Sequence, residues 1–494
     1  MMKKNIARYV LGALVADGDA LCLLGPAPLT RLGLVTRVHG RAVELVDLGV
    51  EADEFVVVLS GREERFWVDL LALWMLGAKP ICLEPDVADD HGDNVLEITD
   101  VRRICATGVE VPASLDGLTP LPDSSQSAPT AASLREMPWV SPDDQPDIAG
   151  LIFTSGTTGL PKGVTLTHEQ LVMNALATRD RLRLRPTDRL MIATPFRFIS
   201  SISHMIVTLM CGASFHGVES KLMIKDLMTE LASQQITAFG GSPFHVQFVA
   251  MAGTERLPNL RWVMSSGDHL PVATIDTLQT AFPDIELHVV YGMAEMGGRI
   301  CSLPVDALSR KMGAVGLPIS GIELDIYDED GLISRPGEIG EIYVDGPYRF
   351  SGYLARPDAN AEVLSDRGFR TGDKGYRDED GYLFLAGRSD AVFKRSGLKV
   401  STQVITDELK TLEMISDAFV RSAPDQMEGH VPVAYVVPNG EFDRVDTVRA
   451  LRDRLAANHI PARFVVLPSI PRTGSGKVDR RALDALVNSL ENTP

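Results

Sequence analysis

Residues 151–163 read Leu-Ile-Phe-Thr-Ser-Gly-Thr-Thr-Gly-Leu-Pro-Lys-Gly. An apolar strand over 148–153 empties into a loop of hydroxyl residues and glycines that ends in a lysine. The chemistry of such a loop is narrow. Gly156, Gly159 and Gly163 let backbone N–H groups turn toward an anion. Thr154, Ser155, Thr157 and Thr158 add hydroxyl donors, and Lys162 adds a point charge. These are the parts that hold a polyphosphate. The spacing is not that of a Walker loop, which needs glycine directly before the lysine and Ser or Thr after it. Here Pro161 and Gly163 hold those places.

The chain around this loop alternates strands and helices. Residues 55–60, Phe-Val-Val-Val-Leu-Ser, read as a buried strand. Residues 66–76 follow as a helix with apolar positions three and four apart, and Gly77-Ala-Lys-Pro80 closes it before a strand at 81–83. That βαβ rhythm implies a parallel sheet covered by helices. Residues 112–146 break it with seven prolines among Ser, Asp and Gln, as in an exposed connector. Thr167-His-Glu-Gln170 is a capping box opening a helix over about 168–181. Strands are expected at 190–193, 236–239, 262–264 and 287–290. From about 322 short strands with turns (323–327, 341–344, 381–385) predict a small β-rich lobe. A last α+β segment has a strand at 431–437 and a helix over 447–457.

With 494 residues the chain exceeds one core. A net charge of −18 argues against a nucleic-acid binder and against docking on an anionic membrane. Residues 389–494 carry 14 basic and 14 acidic side chains, so the whole excess lies before them. Cys22, Cys82, Cys105, Cys211 and Cys301 form no CxxC pair and indicate neither a disulfide framework nor a zinc site. Only a short apolar run lies between Arg8 and Asp17, and no stretch approaches the roughly 18 apolar residues of a membrane span. A cytoplasmic location is expected.

Four further elements follow the loop: Tyr291-Gly-Met-Ala-Glu295; Phe369-Arg-Thr-Gly-Asp373; Gly387-Arg-Ser-Asp390 continuing to Lys394-Arg-Ser-Gly397; and Pro471-Arg-Thr-Gly-Ser-Gly-Lys477. In this order, over about residues 55–482, the chain resembles the acyl-adenylate-forming superfamily of acyl-CoA synthetases, nonribosomal adenylation domains and firefly luciferase. The resemblance implies an α/β fold. A large N-terminal domain of layered sheets with a small β-rich lobe (1–388) precedes a small mobile α+β domain (389–494). It implies that Tyr291 stacks on adenine, where a flat π face suits a purine. Glu295 binds Mg²⁺ on the phosphates, where a hard carboxylate oxygen suits the ion. Asp373 accepts from both ribose hydroxyls, Arg388 contacts ribose, and Asp390 is the hinge between adenylation and thioester formation. Lys477 bridges the substrate carboxylate and the α-phosphate, which otherwise repel. Gly397 marks where a pantetheine arm passes close to backbone.

The chain departs from the family at Ala294, where threonine is usual, and weaker ATP handling is expected. It departs again over 401–406, Ser-Thr-Gln-Val-Ile-Thr. Family logic puts the acyl pocket at Phe198, Ile202, Met264, Ser266, Gly267 and Gly298. Activators of α-amino acids carry an aspartate where Phe198 stands. An unpaired buried ammonium costs several kcal/mol, so the expected acid, aliphatic or aryl, has no α-ammonium group. Arg299 reads as a surface or salt-bridged arginine, with pairing to a second carboxylate or polar substituent as the alternative. His204 and His245 read as structural histidines.

The implied reaction uses ATP and Mg²⁺ to make acyl-AMP, then passes the acyl group to a thiol. Three readings stand: a CoA ligase; a freestanding enzyme loading the phosphopantetheine of an acyl carrier protein in natural-product biosynthesis; and a degenerate adenylate-binding regulatory protein. Arg444, Arg449, Arg452 and Arg454 suit the 3′-phosphate of coenzyme A, an acidic carrier, or merely a solvated helix face. A monomer or homodimer is expected.

Overall fold

The computed structural model describes residues 5–491 except 15–16, 60, 62, 107, 123–138, 142–146, 155–161, 219–223, 269, 330, 334, 389–391, 396–397, 426–427 and 473–477. Among the described residues four sheets form. The strands Phe55–Leu59, Lys79–Leu83 and Ile148–Thr154 lie side by side and parallel, joined through helix Glu63–Leu76. Each is buried along its length apart from the ends of Ile148–Thr154, as the continuous Val/Ile/Leu runs require of a sheet covered on both faces. Among the strands with no counterpart in the sequence expectations, one bears directly on the glycine-rich loop. Lys162–Thr167 folds back antiparallel on Ile148–Thr154, with Thr154 opposite Lys162, so the lysine ending the glycine-rich loop begins a strand.

The largest sheet is parallel from Glu286–Tyr291 through Trp262–Ser266, Ala238–Gly241 and Arg189–Ile192 to Ser214–Gly217. Short antiparallel strands close its edges. One core cluster joins the two large sheets and the helices on them, with Trp67 in ring contact with Phe66, Phe196 and Phe215, and Phe66 with Phe196. Burying each such side chain stabilises the fold by about 1.5–3 kcal/mol. The N-terminal apolar run is helix Ile6–Ala13, whose Ile6, Ala7, Val10 and Leu11 enter this core.

The β-rich lobe pairs Glu323–Tyr327, Gly340–Asp345, Gly368–Arg377 and Leu383–Arg388 in antiparallel register. Alternate burial along Gly340–Asp345 sends Ile342 and Val344 into the main core. After residue 388, a hairpin of Ile415–Asp425 on Gly429–Pro438 carries helices Thr402–Lys410 and Arg480–Glu491, with cores of its own. Ser401, inside the unusual 401–406 stretch, caps helix Thr402–Lys410 by accepting from Val404 N–H, and its hydroxyl donates to the Ala386 carbonyl at 2.6 Å. The helix expected over 447–457 is Arg444–Arg452, capped at Asp453, and Ala456 opens a separate 3-10 turn, Ala457–His459. Among the described residues no helix is long and apolar enough to cross a membrane, and all five cysteines are free thiols.

Candidate functional site

The strand Glu286–Tyr291 delivers Tyr291 to its C-terminal end, followed by a single 3-10 turn, Ala294–Met296. The turn is tight because Gly292 lies against the backbone of Gly298. A Cβ on Gly292 would stand 1.9 Å from the Gly298 carbonyl oxygen, so no other residue fits without moving main chain. Helix His168–Leu182, opened by the expected Thr167/Gln170 capping box, holds the turn from one side. The buried Asn174 amide donates to the carbonyls of Met296 and Arg299 at 3.1 Å each. From the other side, Phe350 N–H donates to the Glu295 carbonyl at 2.7 Å.

Glu295 is thereby fixed as a buried carboxylate, and the Tyr353 hydroxyl donates to its Oε1 at 2.8 Å. Tyr353 also links this wall to the glycine-rich loop. Its ring centroid lies 4.9 Å from Lys162 Nζ, and the flanking backbone is tied to the same strand: Leu354 N–H donates to the Gly163 carbonyl and the Thr165 hydroxyl to the Gly352 carbonyl. The Asn360 side chain clamps the N–H and C=O of Tyr353 itself. Sequence reasoning passes Tyr353 over. A tyrosine after a glycine in a turn-rich segment carries no local signal, and its partner is 58 residues away.

The third wall is the strand Gly368–Arg377. Between Arg370 (opposite Tyr343) and Lys374 (opposite Glu341) its ladder slips, so Thr371, Gly372 and Asp373 form a bulge with Gly372 at φ +74°. The Thr-Gly-Asp motif therefore sits inside a bent strand and turns Asp373 toward Tyr291, whose hydroxyl donates to Oδ2 at 2.7 Å. Burial, then the Asp373 charge, holds the Tyr291 phenol far above its ordinary pKa, so it stays a donor. Arg388 stands opposite Asp373 in the next ladder.

Lys162, Glu295, Tyr291 and Asp373 are thus brought together from three sheets. Thr154 ends the strand before the loop. Ser155, Gly156, Thr157, Thr158, Asp390, Gly397 and Lys477, together with the side chain of Arg388, lie outside the described residues. The residues flanking the last of these loops, Arg472 and Val478, bridge to each other, and Arg472 bonds Asp417 at 2.6 Å.

Of the proposed pocket residues, Phe198 precedes helix Ile199–Met210, its ring under the Arg197 guanidinium at 4.1 Å. Arg197 pairs in turn with Glu84 at 3.1 Å. Ile202 and Met264 are buried, while Ser266 and Gly267 are more open at the end of their strand. Gly298, at φ +118°, faces Ser203 and Ile199. Arg299 corrects the expectation of a surface or salt-bridged arginine. It is 2% exposed, and among the described residues no carboxylate pairs with it. Of the four C-terminal arginines, Arg449 is engaged by Asp446 and Arg454 by Thr411.

Removing the Tyr353 hydroxyl alone tests its hold on Glu295. Tyr353→Phe is expected to raise the Mg²⁺ concentration needed for half-maximal adenylation by about tenfold, since hydrogen bonds to charged groups contribute about 1.5–3 kcal/mol. A titration of initial rate against Mg²⁺ that matches wild type removes that role.

A layered α/β body whose sheets meet at the end of one strand, followed by a small α+β module, is the architecture of an adenylate-forming protein. The chain belongs to the AMP-binding enzyme family: the model of that family matches residues 19–354, and that of the AMP-binding enzyme C-terminal domain matches 407–477. It is 30% identical to a 2-succinylbenzoate–CoA ligase of Bacillus anthracis over 94% of each chain, and 27% identical to that of Bacillus velezensis over 88% of each. The fold matches the o-succinylbenzoate CoA synthetase of Bacillus subtilis solved with an acyl-adenylate (TM-score 0.85, 22% identity, 98% of each chain). It also matches ATP-bound MatB of Rhodopseudomonas palustris (TM-score 0.85, 23% identity, 99% of this chain and all of that one).

Proposed function

We propose that the chain is an AMP-forming acid–thiol ligase acting in two steps. A carboxylate oxygen of the acid attacks the α-phosphorus of ATP, the bond to the β-phosphate oxygen breaks, and pyrophosphate leaves. A thiol sulfur then attacks the carbonyl carbon of the acyl-AMP, the carbon–oxygen bond of the mixed anhydride breaks, and AMP leaves as the thiol proton passes to solvent. The observation that carries this reading is the convergence of Lys162, Tyr353-bonded Glu295 and Tyr291-bonded Asp373 from three separate sheets.

In this reading Lys162 and the 154–158 hydroxyl and amide groups bind the phosphates, Tyr291 supports the adenine, and Asp373 with Arg388 takes the ribose. Lys477 lies between carboxylate and α-phosphate. The donor set suits magnesium that arrives as its ATP complex. Among the described residues no group of three His, Cys, Asp or Glu could cage an ion, and one buried carboxylate, Glu295, is joined to the phosphate lysine through Tyr353. Mg²⁺ held there supplies charge neutralisation on the phosphate oxygens. Glu295 is kept in place by Tyr353, and its turn by Asn174 and Phe350.

Coenzyme A is the acceptor this reading favours, because the full-length relatives are CoA ligases; the pantetheine of a carrier protein is the alternative. The domains divide at 388/389, with Asp390 as hinge, and the thiol reaches the adenylate after the C-terminal domain rotates. Five unpaired cysteines suit a reducing, cytoplasmic location. The degenerate reading is disfavoured by Glu295, a buried charge held by Tyr353 on a turn fixed by Asn174 and Phe350, which a non-catalytic binder would have no need to keep.

The test is pyrophosphate release with hydroxylamine as acceptor, across fatty, aryl, dicarboxylic and amino acids, with 2-succinylbenzoate included. A sharp response to one class of acid lacking an α-ammonium group is expected. Steady turnover on a proteinogenic amino acid refutes the reading of Phe198. Silence on every acid refutes the ligase.

A further inference from the structure

Arg299 follows Gly298 into the interior, and its surroundings are unusual for an arginine. Nη2 donates to Nε2 of His204. The other imidazole nitrogen, Nδ1, donates to the Ser200 carbonyl, which fixes the neutral tautomer with its lone pair toward the guanidinium. His204 is therefore no counter-ion; burial first, then Arg299 itself, holds its pKa far below the usual histidine range. Nη1 reaches the Thr178 hydroxyl only at 3.5 Å, and Nε has no partner among the described residues. His288, on the neighbouring strand, is also kept neutral by burial and nearby arginines. Burial alone pushes Arg299 down to about 9, so at neutral pH it still carries its charge.

A fully desolvated cation with, among the described residues, no anion and with unused donors is costly. Breaking or omitting the partner of a buried charge destabilises a protein far more than replacing the charge with an apolar residue. If Arg299 served only to brace helix Ile199–Met210 against the turn, a methionine would do so without that cost. The site is also well placed. His204 Nε2 lies 3.1 Å from Met264 Sδ, and His204 is two residues beyond Ile202 on the same helix. Gly298, next to Arg299, packs on Ile199 and Ser203. The guanidinium is thus one histidine removed from Met264 and one residue along the chain from Gly298, two of the residues assigned to the acyl pocket.

We propose that Arg299 is an anion subsite at the far end of the acyl pocket, and that the acid activated is a dicarboxylic acid whose second carboxylate pairs with the guanidinium. This rests on the ligase reading above. His204 is the positioning residue: by accepting one Nη2 hydrogen and leaning on the Ser200 carbonyl, it fixes the plane of the guanidinium and leaves one of its two-donor edges, the second Nη2 hydrogen with either Nε or Nη1, for a bidentate partner.

The experiment compares matched acids in the pyrophosphate-release assay with the full chain. Each diacid, aliphatic or aryl, is measured beside the monocarboxylic acids in which its far carboxylate is replaced by a carboxamide or a methyl group. In wild type the best diacid is expected to exceed both partners by about 100-fold or more in kcat/KM, as sites with unpaired buried polar groups reject analogues that leave them unpaired. Arg299→Met is expected to collapse that ratio, and Arg299→Lys to restore part of it. Equal or better turnover of the methyl-ended acid by wild type overturns the subsite, as does an Arg299→Met variant slowed alike on both acids. In either case the ligase reading stands. If Arg299→Met does not fold, the carboxylate-to-carboxamide ratio of wild type decides by itself. If neither kind of acid releases pyrophosphate, the ligase reading falls and the subsite with it.

Discussion

Replacing Glu295 by glutamine is expected to slow acyl-adenylate formation by about a thousandfold, roughly 4 kcal/mol of transition-state stabilisation. Folding stability should stay within about 1 kcal/mol of wild type. The substitution is nearly isosteric, and an amide oxygen accepts from the Tyr353 hydroxyl as the carboxylate does. The turn is held by the Asn174 amide and by Phe350 through backbone carbonyls, and both contacts survive. What disappears is one negative charge in a buried place. The loss should therefore fall on the Mg²⁺ dependence and kcat, with the thermal midpoint little changed. A Glu295→Gln enzyme that reaches the wild-type rate at saturating Mg²⁺ would remove Glu295 from the chemistry. One that unfolds would show the carboxylate to be a packing group.

How much of this is legible in the sequence depends on how local each cause is. The strands Phe55–Leu59 and Glu323–Tyr327 and the capping box at Thr167 are read closely, because β-rich runs and caps are written within a few residues. The strand Lys162–Thr167 escapes a sequence reading because a loop ending in Pro-Lys-Gly masks the alternation that follows it. Thr-Gly-Asp alone reads as a common turn, yet the slip of register that bulges it out of a ten-residue strand depends on the partner strand Gly340–Asp345. Tyr353 and Arg299 are the hardest. Tyr353 acquires its role only when Glu295, far away in the chain, folds against it. Arg299, at the end of Glu-Met-Gly-Gly-Arg, has the local sequence of a solvated charge. Only the packing of helices His168–Leu182 and Ile199–Met210 reveals it as buried and, among the described residues, without a carboxylate partner. Motif order carries the family, and pairwise contact carries the site.

Lys477→Ala is expected to lower adenylation by about a hundredfold to a thousandfold while ATP affinity changes only severalfold. The nucleotide-binding groups assigned above all lie before residue 389, so removing Lys477 leaves them intact. The loop that carries Lys477 springs from Arg472 and Val478, which bridge to each other, with Arg472 bonded to Asp417 on the strand Ile415–Asp425. Truncating one side chain beyond that anchored base should not disturb the module. The lysine's proposed task is confined to the moment when two anions, the acid's carboxylate and the α-phosphate, must approach. Once the mixed anhydride exists that repulsion is gone. The variant should therefore still convert a supplied acyl-AMP to the thioester at close to the wild-type rate. Measuring the two half-reactions separately makes the prediction sharp. Equal loss in both would mean that the module has been damaged as a whole, and an adenylation rate equal to wild type would mean that the Pro-Arg-Thr-Gly-Ser-Gly-Lys loop has been assigned the wrong role.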